Sequence, residues 1–168
     1  MRYKMIYILF LIFLLITIPY VITVFLSQQD KNIQFENYDS GYQVISGNDK
    51  DDLETYLLKI LPGQISMDQE NEAVKAQAVI LRTDIIRRME NKKQIARQKL
   101  PYTTYENSEY RKKLGNRSYQ SMDQKRKKSV SETRGKVITY KNKLIEPYFH
   151  ALSVGMTLDS REWFGKDL

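Results

Sequence analysis

The side chains best suited to acid–base chemistry lie in two parts of this sequence. One is His150, the only histidine of the chain. The other is a group of three carboxylates, Asp68, Glu70 and Glu72, where a helix is predicted to begin. An acid catalyst needs a partly buried pocket that favours its protonated form. The positive end of a helix stabilises the ionised form instead, so these three carboxylates are poorly suited to donate a proton.

The helix that follows these carboxylates is the element that must position the rest. It is expected to run from Glu70 to about Lys92. Three small residues, Ala73, Ala76 and Ala78, allow another backbone to approach it closely. Its apolar side chains cover too wide a face for a helix at the protein surface. The sequence therefore predicts that this helix is central to the fold.

Shorter elements are predicted on both sides of the central helix. Alternation between glycines predicts a strand over residues 41–47, and Asp51 or Asp52 can cap a helix that Pro62 and Gly63 end. After Pro101 the pattern predicts helices over 106–114 and 121–134, with Gly115 and Gly135 as their stops. Strands over 136–140 and 144–151 should follow, joined in a hairpin by residues 141–143.

A nearly unbroken apolar stretch covers residues 5–26, and about 20 such residues span a bilayer. Arg2 and Lys4 precede it, which predicts that residues 1–4 are cytoplasmic and that the chain beyond the span is extracytoplasmic. A cleaved signal peptide is the alternative, but the stretch is long for one and no small-residue cleavage site follows. We expect a single-pass cell-membrane protein with an uncleaved anchor.

The predicted organisation beyond the anchor is a polar tether over residues 27–40 and one domain over residues 41–168. The domain is expected to be α+β. In this fold class the central helix would pack on short antiparallel strands.

The net charge of +7 and the pI of about 9.4 predict anionic neighbours such as wall polymers, lipid head groups or peptidoglycan carboxylates. Nucleic acid is the competing partner for any basic chain, but an extracytoplasmic domain would not meet it. The chain has no cysteine, so it offers neither a disulfide nor a thiolate metal site. We expect no cofactor and no metal.

Basic side chains greatly outnumber acidic ones between residues 87 and 128, above all in the run from Lys125 to Lys128. One interpretation is solvated helix faces. The other is a patch that binds an anionic wall or membrane surface in a salt-sensitive way.

Four stretches resemble motifs of the stage II sporulation protein D and amidase-enhancer family. Residues 72–78 and 82–83, EAVKAQA and RT, are similar to its long and uncommon EALKAQA…RT. Residues 56–61, YLLKIL, look like its YLxGVL. Residues 129–140, SVSETRGKVITY, resemble AVxxTxGxVLxY, and residues 148–157, YFHALSVGMT, resemble YxHSxSGGxT. The resemblance extends from about residue 43 to the C-terminus.

The resemblance implies lytic transglycosylase chemistry on peptidoglycan. One carboxylic acid protonates the glycosidic oxygen, and the sugar's own 6-hydroxyl then attacks to leave a 1,6-anhydro end; hydrolases use two carboxylates instead. The family's acid is a glutamate placed eight residues after the tyrosine of YLxGV and eight before the first glutamate of EALKAQA. Counting from Tyr56 and from Glu72, both routes reach Gln64. Its amide has no transferable proton at neutral pH.

The resemblance also implies a substrate groove. Its candidate residues match the motifs and are Lys75, Gln77, Arg82, His150, Ser153 and Thr157. For His150 the alternative is a structural role, which is the usual one for a lone histidine on a strand.

Three departures from the family pattern bear on that groove. Val154 replaces a glycine of SGGxT, and a β-branched residue resists positive φ. Some members hold zinc through cysteine and histidine, which this composition cannot supply. The chain stops eleven residues after Thr157, where family domains continue, so the domain is expected to be incomplete at its C-terminus.

Together these features predict a membrane-anchored, peptidoglycan-directed protein that acts in sporulation, during wall remodelling at engulfment. Because Gln64 replaces the acid, non-catalytic glycan binding or complex formation is expected. The alternative is an active lytic transglycosylase that uses Asp68, Glu70 or Glu72, and a fragment without function is a third hypothesis. By resemblance, the partners are peptidoglycan glycan strands, a partner amidase and a multispan membrane protein of the engulfment complex.

Overall fold

The computed structural model describes residues 2–29 and 38–150, together with residues 155, 159, 161, 162 and 165. Residues up to 37 and residues from 38 onward form two separate units. The first unit contains helix α1 (Arg2–Gln29), and its segment Ile6–Val24 is long and apolar enough to cross a membrane. The expected apolar helix is therefore present, and its membrane crossing stays a prediction.

The second unit starts with a three-stranded sheet in the order β2–β1–β3. Strand β1 (Gln43–Ser46) pairs antiparallel with β2 (Asp49–Asp52) and parallel with β3 (Gln94–Ala96). Val44 lies opposite Ile95, and both side chains are buried. Only β1 was expected from the sequence. The sequence of β2, Asp-Lys-Asp-Asp, has no strand propensity, and backbone pairing with β1 after the turn at Gly47 makes it a strand.

Helix α2 (Leu53–Ile60) follows directly and agrees with the prediction. The Asp52 carboxylate caps it by accepting a hydrogen bond from the Glu54 amide at 2.9 Å. The same carboxylate accepts from the amide and hydroxyl of Ser40, each at 2.7 Å. Leu57 and Ile60 on its inner face are fully buried, which anchors α2 in the core. A short 3₁₀ turn, Leu61–Gly63, then ends the helix.

Helix α3 (Asn71–Arg88) is the central element. It packs mainly against α5 (Asn116–Glu132) and α2, whereas short antiparallel strands were expected to support it. It also ends earlier than expected, because Glu90 and Asn91 adopt left-handed backbone angles, with φ of 49° and 67°, and redirect the chain into β3. Helix α4 (Asn107–Leu114) ends at Gly115, at φ 76°, as predicted, whereas α5 begins directly after this glycine, earlier than the expected residue 121.

A buried ion pair joins α3 to α2. Arg82 on α3 donates from Nε and Nη2 to the two carboxylate oxygens of Glu54 on α2, at 2.8 and 2.7 Å. Both side chains are at most 2% exposed. Arg82 Nη1 also donates to the Lys136 carbonyl at 3.2 Å. Removing one partner of such a pair leaves a buried charge, at a cost of about 3–5 kcal/mol.

A small hairpin follows α5, with β4 (Thr139–Tyr140) and β5 (Lys143–Leu144) joined through Lys141 and Asn142. The two turn residues have φ of 46° and 61°, as a two-residue type I′ turn requires. The hairpin was expected, but both strands are shorter than the sequence suggested. Residues 145–150 are not in a strand, and Ala151 lies outside the described residues.

Candidate functional site

An open cavity of about 660 Å³ lies between the loop after α2, the first turns of α3 and the chain at residues 149–150. Gln64 lines it together with Gln77 and His150, so three of the expected site residues meet here. The remaining lining residues are Pro62, Gly63, Ile65, Ser66, Gln69, Ala73 and Phe149.

The loop holds Gln64 through backbone contacts rather than through its side chain. The amides of Gln64 and Ile65 both donate to the Leu61 carbonyl, at 3.0 and 3.2 Å. Pro62 favours this tight turn because its ring fixes φ. The Gln64 side chain is half-buried, and its carboxamide group lies at the cavity wall.

Tyr105 supports the same loop from the other side. Its amide donates to the Lys59 carbonyl at 2.8 Å. A Cβ atom on Gly63 would lie 2.7 Å from the Tyr105 ring, so any side chain at this position would require the ring to shift. The ring of Tyr105 meets that of Tyr110 edge-on, and Tyr110 meets Tyr119 in the same way. The tyrosine-rich segment after Pro101 thus supports the loop that carries Gln64.

Gln77 is the most buried polar side chain of the cavity wall. It is 5% exposed, and its amide nitrogen has no hydrogen-bond partner in the described part of the chain. A buried donor left unsatisfied costs about 1–3 kcal/mol. An acceptor that entered the cavity and reached this amide would recover that cost.

The third wall of the cavity is the pair Phe149 and His150. Phe149 is 43% exposed and offers an aromatic surface to a ligand. Sequence reasoning selected His150 and missed Phe149. Phe149 could have been selected from the sequence because it precedes His150 in the motif at residues 148–157. A large apolar side chain beside a site residue often forms part of the cavity wall.

The other groove candidates lie elsewhere. Arg82 is in the interior, paired with Glu54 as described, and does not line the cavity. Lys75 forms ion pairs with Glu132 at 2.6 Å and with Glu72 at 2.7 Å. The hydrogen bonds from Lys75 to these two carboxylates, the one to Glu132 foremost, raise the pKa of its ammonium group. Ser153 and Thr157, and also Val154, lie outside the described residues.

The alternative acids do not line the cavity either. Asp68 is exposed and accepts a hydrogen bond from the Ser66 hydroxyl at 3.3 Å. Glu70 is the N-cap residue of α3, and Glu72 is paired with Lys75. Among the described lining residues there is therefore no carboxyl group, and the same part of the chain contains no cluster of three or more potential metal ligands. The cavity offers amides, a hydroxyl, an imidazole and an aromatic ring.

The basic run from Lys125 to Lys128 is occupied by internal contacts. Lys125 donates to the Gln69 carbonyl, at the edge of the cavity loop. Arg126 is 1% exposed on its side chain, pairs with Asp123 and donates to the Leu58 carbonyl at 2.9 Å. Lys127 pairs with Asp123 and Lys128 with Glu132. This run therefore acts within the fold more than as a continuous cationic surface.

Comparisons with known proteins agree with the motifs. The family model described as "Stage II sporulation protein" matches residues 40–140. Stage II sporulation protein D of Bacillus subtilis (strain 168) is 29% identical over 119 residues, which are 67% of this chain and 35% of that protein. The protein of the same name from Bacillus amyloliquefaciens gives the same values.

An uncharacterized protein of Brachyspira hyodysenteriae is 32% identical over 113 residues, 67% of this chain and 29% of that protein. The chain thus spans about a third of the length of these curated relatives. No solved structure matches it significantly. The region matched by the family model covers more than half of the chain and contains the Gln64 loop, α3 and the buried ion pair. This chain belongs to the stage II sporulation protein D family.

Proposed function

We propose that this chain acts in sporulation by binding peptidoglycan glycan strands at the Gln64 cavity without cleaving them. One observation carries the proposal: the position of the family's acid is an amide, and the described cavity wall contains no carboxyl group to replace it. An amide can hydrogen-bond a sugar but cannot protonate a glycosidic oxygen. A general acid contributes about 10²- to 10⁴-fold to a typical enzyme rate, and more where it is the only acid.

The lining suits an uncharged polar ligand. Amides and hydroxyls donate to and accept from sugar hydroxyl groups. Phe149, nearly half exposed, can pack against the C–H face of a pyranose ring. A volume of about 660 Å³ lies within the range of about 300–1,000 Å³ usual for small-ligand sites. Two or three sugar units of a strand are a ligand of that size.

The proposal includes a membrane location. Helix α1 would cross the cell membrane once, with Arg2 and Lys4 on the cytoplasmic side. The cavity unit would then lie outside the cytoplasm, where peptidoglycan is found. A partner amidase and a multispan membrane protein of engulfment are the partners that the family resemblance suggests for this location.

The test separates binding from cleavage. The full chain, in a detergent without a sugar head group, is incubated with purified peptidoglycan and sedimented with it. We expect the protein to co-sediment and the supernatant to contain no 1,6-anhydro muropeptides by mass spectrometry. Failure to co-sediment would overturn the binding proposal. Release of anhydro ends would instead establish the rival function, an active lytic transglycosylase with a displaced carboxylate.

A further inference from the structure

Among the described residues that line the cavity, Gln77 is the one with a buried side-chain atom that lacks a hydrogen-bond partner. Its side chain is 95% removed from solvent while its amide nitrogen lacks a partner. Native proteins rarely leave a buried side-chain donor unbonded without a reason. Rotation about the terminal torsion, which is broad for amides, can present either the NH₂ group or the carbonyl oxygen to the cavity.

The surroundings of Gln77 restrict what can satisfy it. Lys75, two residues earlier on α3, is held by Glu72 and Glu132. Gln64, Gln69 and Ser66 also line the cavity and are uncharged. The described lining residues include no carboxylate, lysine or arginine, so a ligand ion of either sign would lack a counter-ion there, and burying an unpaired charge is costly. The group that completes Gln77 should be a neutral acceptor.

We propose that Gln77 recognises the N-acetyl group of an amino sugar and makes the cavity selective for N-acetylated over de-N-acetylated glycan. This rests on the proposed glycan-binding function and deepens it. The acetamido carbonyl would accept from the Gln77 NH₂ group. Without the acetyl group, the sugar presents an ammonium ion, which cannot accept a hydrogen bond. Gln77 is thus a specificity-determining residue.

The experiment compares three preparations of one ligand. Peptide-free glycan strands are used as isolated, after chemical removal of their N-acetyl groups, and after chemical re-acetylation. Binding to the full chain in sugar-free detergent is measured by calorimetry. One neutral hydrogen bond corresponds to roughly three- to tenfold in affinity, so we expect at least that preference for the acetylated strands and its recovery on re-acetylation. The series is repeated at high salt, because screening removes general repulsion between the basic protein and the aminated strands.

Two substitutions assign the preference to Gln77. Gln77→Met keeps the length of the side chain but has no donor, and it should bind acetylated strands roughly three- to tenfold more weakly. Gln77→Glu replaces the donor by an anion and should reverse the preference in favour of the aminated strands. The matched control is Gln120→Met, the same change at an exposed residue of α5 that does not line the cavity, and it should keep the preference of the unmodified protein.

The outcomes separate the two proposals. If the unmodified protein binds both glycans equally at high salt, or if Gln77→Met retains the full preference, the assignment to Gln77 is overturned while glycan binding stands. If the unmodified protein binds neither glycan, both proposals fail. Should Gln77→Met not fold, as judged by circular dichroism, the preference of the unmodified protein and the reversal in Gln77→Glu decide the question.

Discussion

At the scale of single residues, the proposed function depends on the identity of residue 64. Gln64 and glutamate have nearly the same size and differ in a proton that can be transferred. The backbone contacts that hold the Gln64 loop use the Leu61 carbonyl and no atom of the Gln64 side chain. A substitution at this position should therefore change chemistry without changing the loop.

We predict that Gln64→Glu gains lytic transglycosylase activity, because it restores a carboxylic acid at the cavity wall. The gain should be on the order of 10²-fold or more above the unmodified protein, measured as 1,6-anhydro muropeptides released from peptidoglycan. The control is Gln69→Glu, which adds a carboxyl group to the same cavity at a position without that role. Equal release by the two variants would contradict a special role of position 64.

At the scale of elements, the loop after α2 depends on the segment that precedes α4. Tyr105 fills the space beside Gly63 and is itself braced by Tyr110, whose ring lies 5.6 Å below the guanidinium of Arg126. These contacts join α2, the cavity loop and α5. The polar, tyrosine-rich stretch after Pro101 is thus a structural support of the site.

We predict that Gly63→Ala destabilises the fold, because the new Cβ would lie 2.7 Å from the Tyr105 ring. Overpacking of this kind costs about 1–3 kcal/mol, measured by denaturant unfolding. In the double variant Gly63→Ala, Tyr105→Leu the clash is absent. Its loss of unfolding free energy should therefore be smaller than the sum of the losses in the two single variants. Simple additivity would show that the ring moves aside freely and does not support the loop.

A second prediction at this scale concerns Asp84, which ties α3 to the segment after β3. Its carboxylate accepts from the Tyr102 hydroxyl and from Arg88 Nε, each at 2.6 Å. Burial by itself raises the pKa of Asp84, but these hydrogen bonds and the Arg88 charge outweigh it and lower the pKa below its usual value. Burial and the bond to Asp84 raise the pKa of Tyr102, so its hydroxyl remains a donor.

Because folding lowers the pKa of Asp84, the ionised carboxylate stabilises the folded state, and this stabilisation is complete at a pH above the unfolded-state pKa of about 3.9. It is lost as the pH falls through the lower folded value. The Asp84→Asn variant should therefore have an unfolding free energy about 1–3 kcal/mol lower than that of the unmodified protein at neutral pH. Acidification should reduce the unfolding free energy of the variant less than that of the unmodified protein. Urea unfolding at pH 7 and at about pH 3 measures this. Parallel losses in both proteins would contradict the assignment.

At the scale of the whole molecule, the chain combines an apolar helix with a basic α+β unit. The densest basic run contributes little unpaired charge to the surface, since Lys127 and Lys128 pair with carboxylates and Arg126 is buried. Exposed cations are instead spread over several elements, for example Lys92, Lys112 and Arg117. Attraction to an anionic wall would be diffuse and sensitive to salt.

We predict that α1 crosses the membrane once with its N-terminus inside. Protease added to intact protoplasts of expressing cells should digest the chain beyond residue 29 and leave a tag at the N-terminus intact, as followed by immunoblotting. The control is lysed protoplasts, in which the tag should also be digested. Full protection of the region beyond residue 29 would reverse the orientation and remove peptidoglycan as a ligand.

Local sequence was sufficient for several elements. The apolar stretch, the strand between Gly41 and Gly47, the cap at Asp52 and the stop at Gly115 each depend on residues within a few positions of one another. The family resemblance also located Gln64, because motif positions in a continuous loop and helix can be counted along the chain from Tyr56 and from Glu72. The helix, strand, cap and stop are properties that short-range backbone preferences determine.

Tertiary structure decided what depends on partners distant in the chain. Strands β2 and β3 exist because β1 offers them backbone hydrogen bonds, although the side chains of β2 have no strand propensity and only Ile95 favours a strand in β3. The motif suggested Arg82 as a groove residue, but Arg82 is buried and structural because Glu54 lies opposite it on α2. Phe149 became a cavity wall, and the Gln77 amide was left without a partner. Burial and pairing are set by which surfaces meet, and one-dimensional spacing does not contain that information.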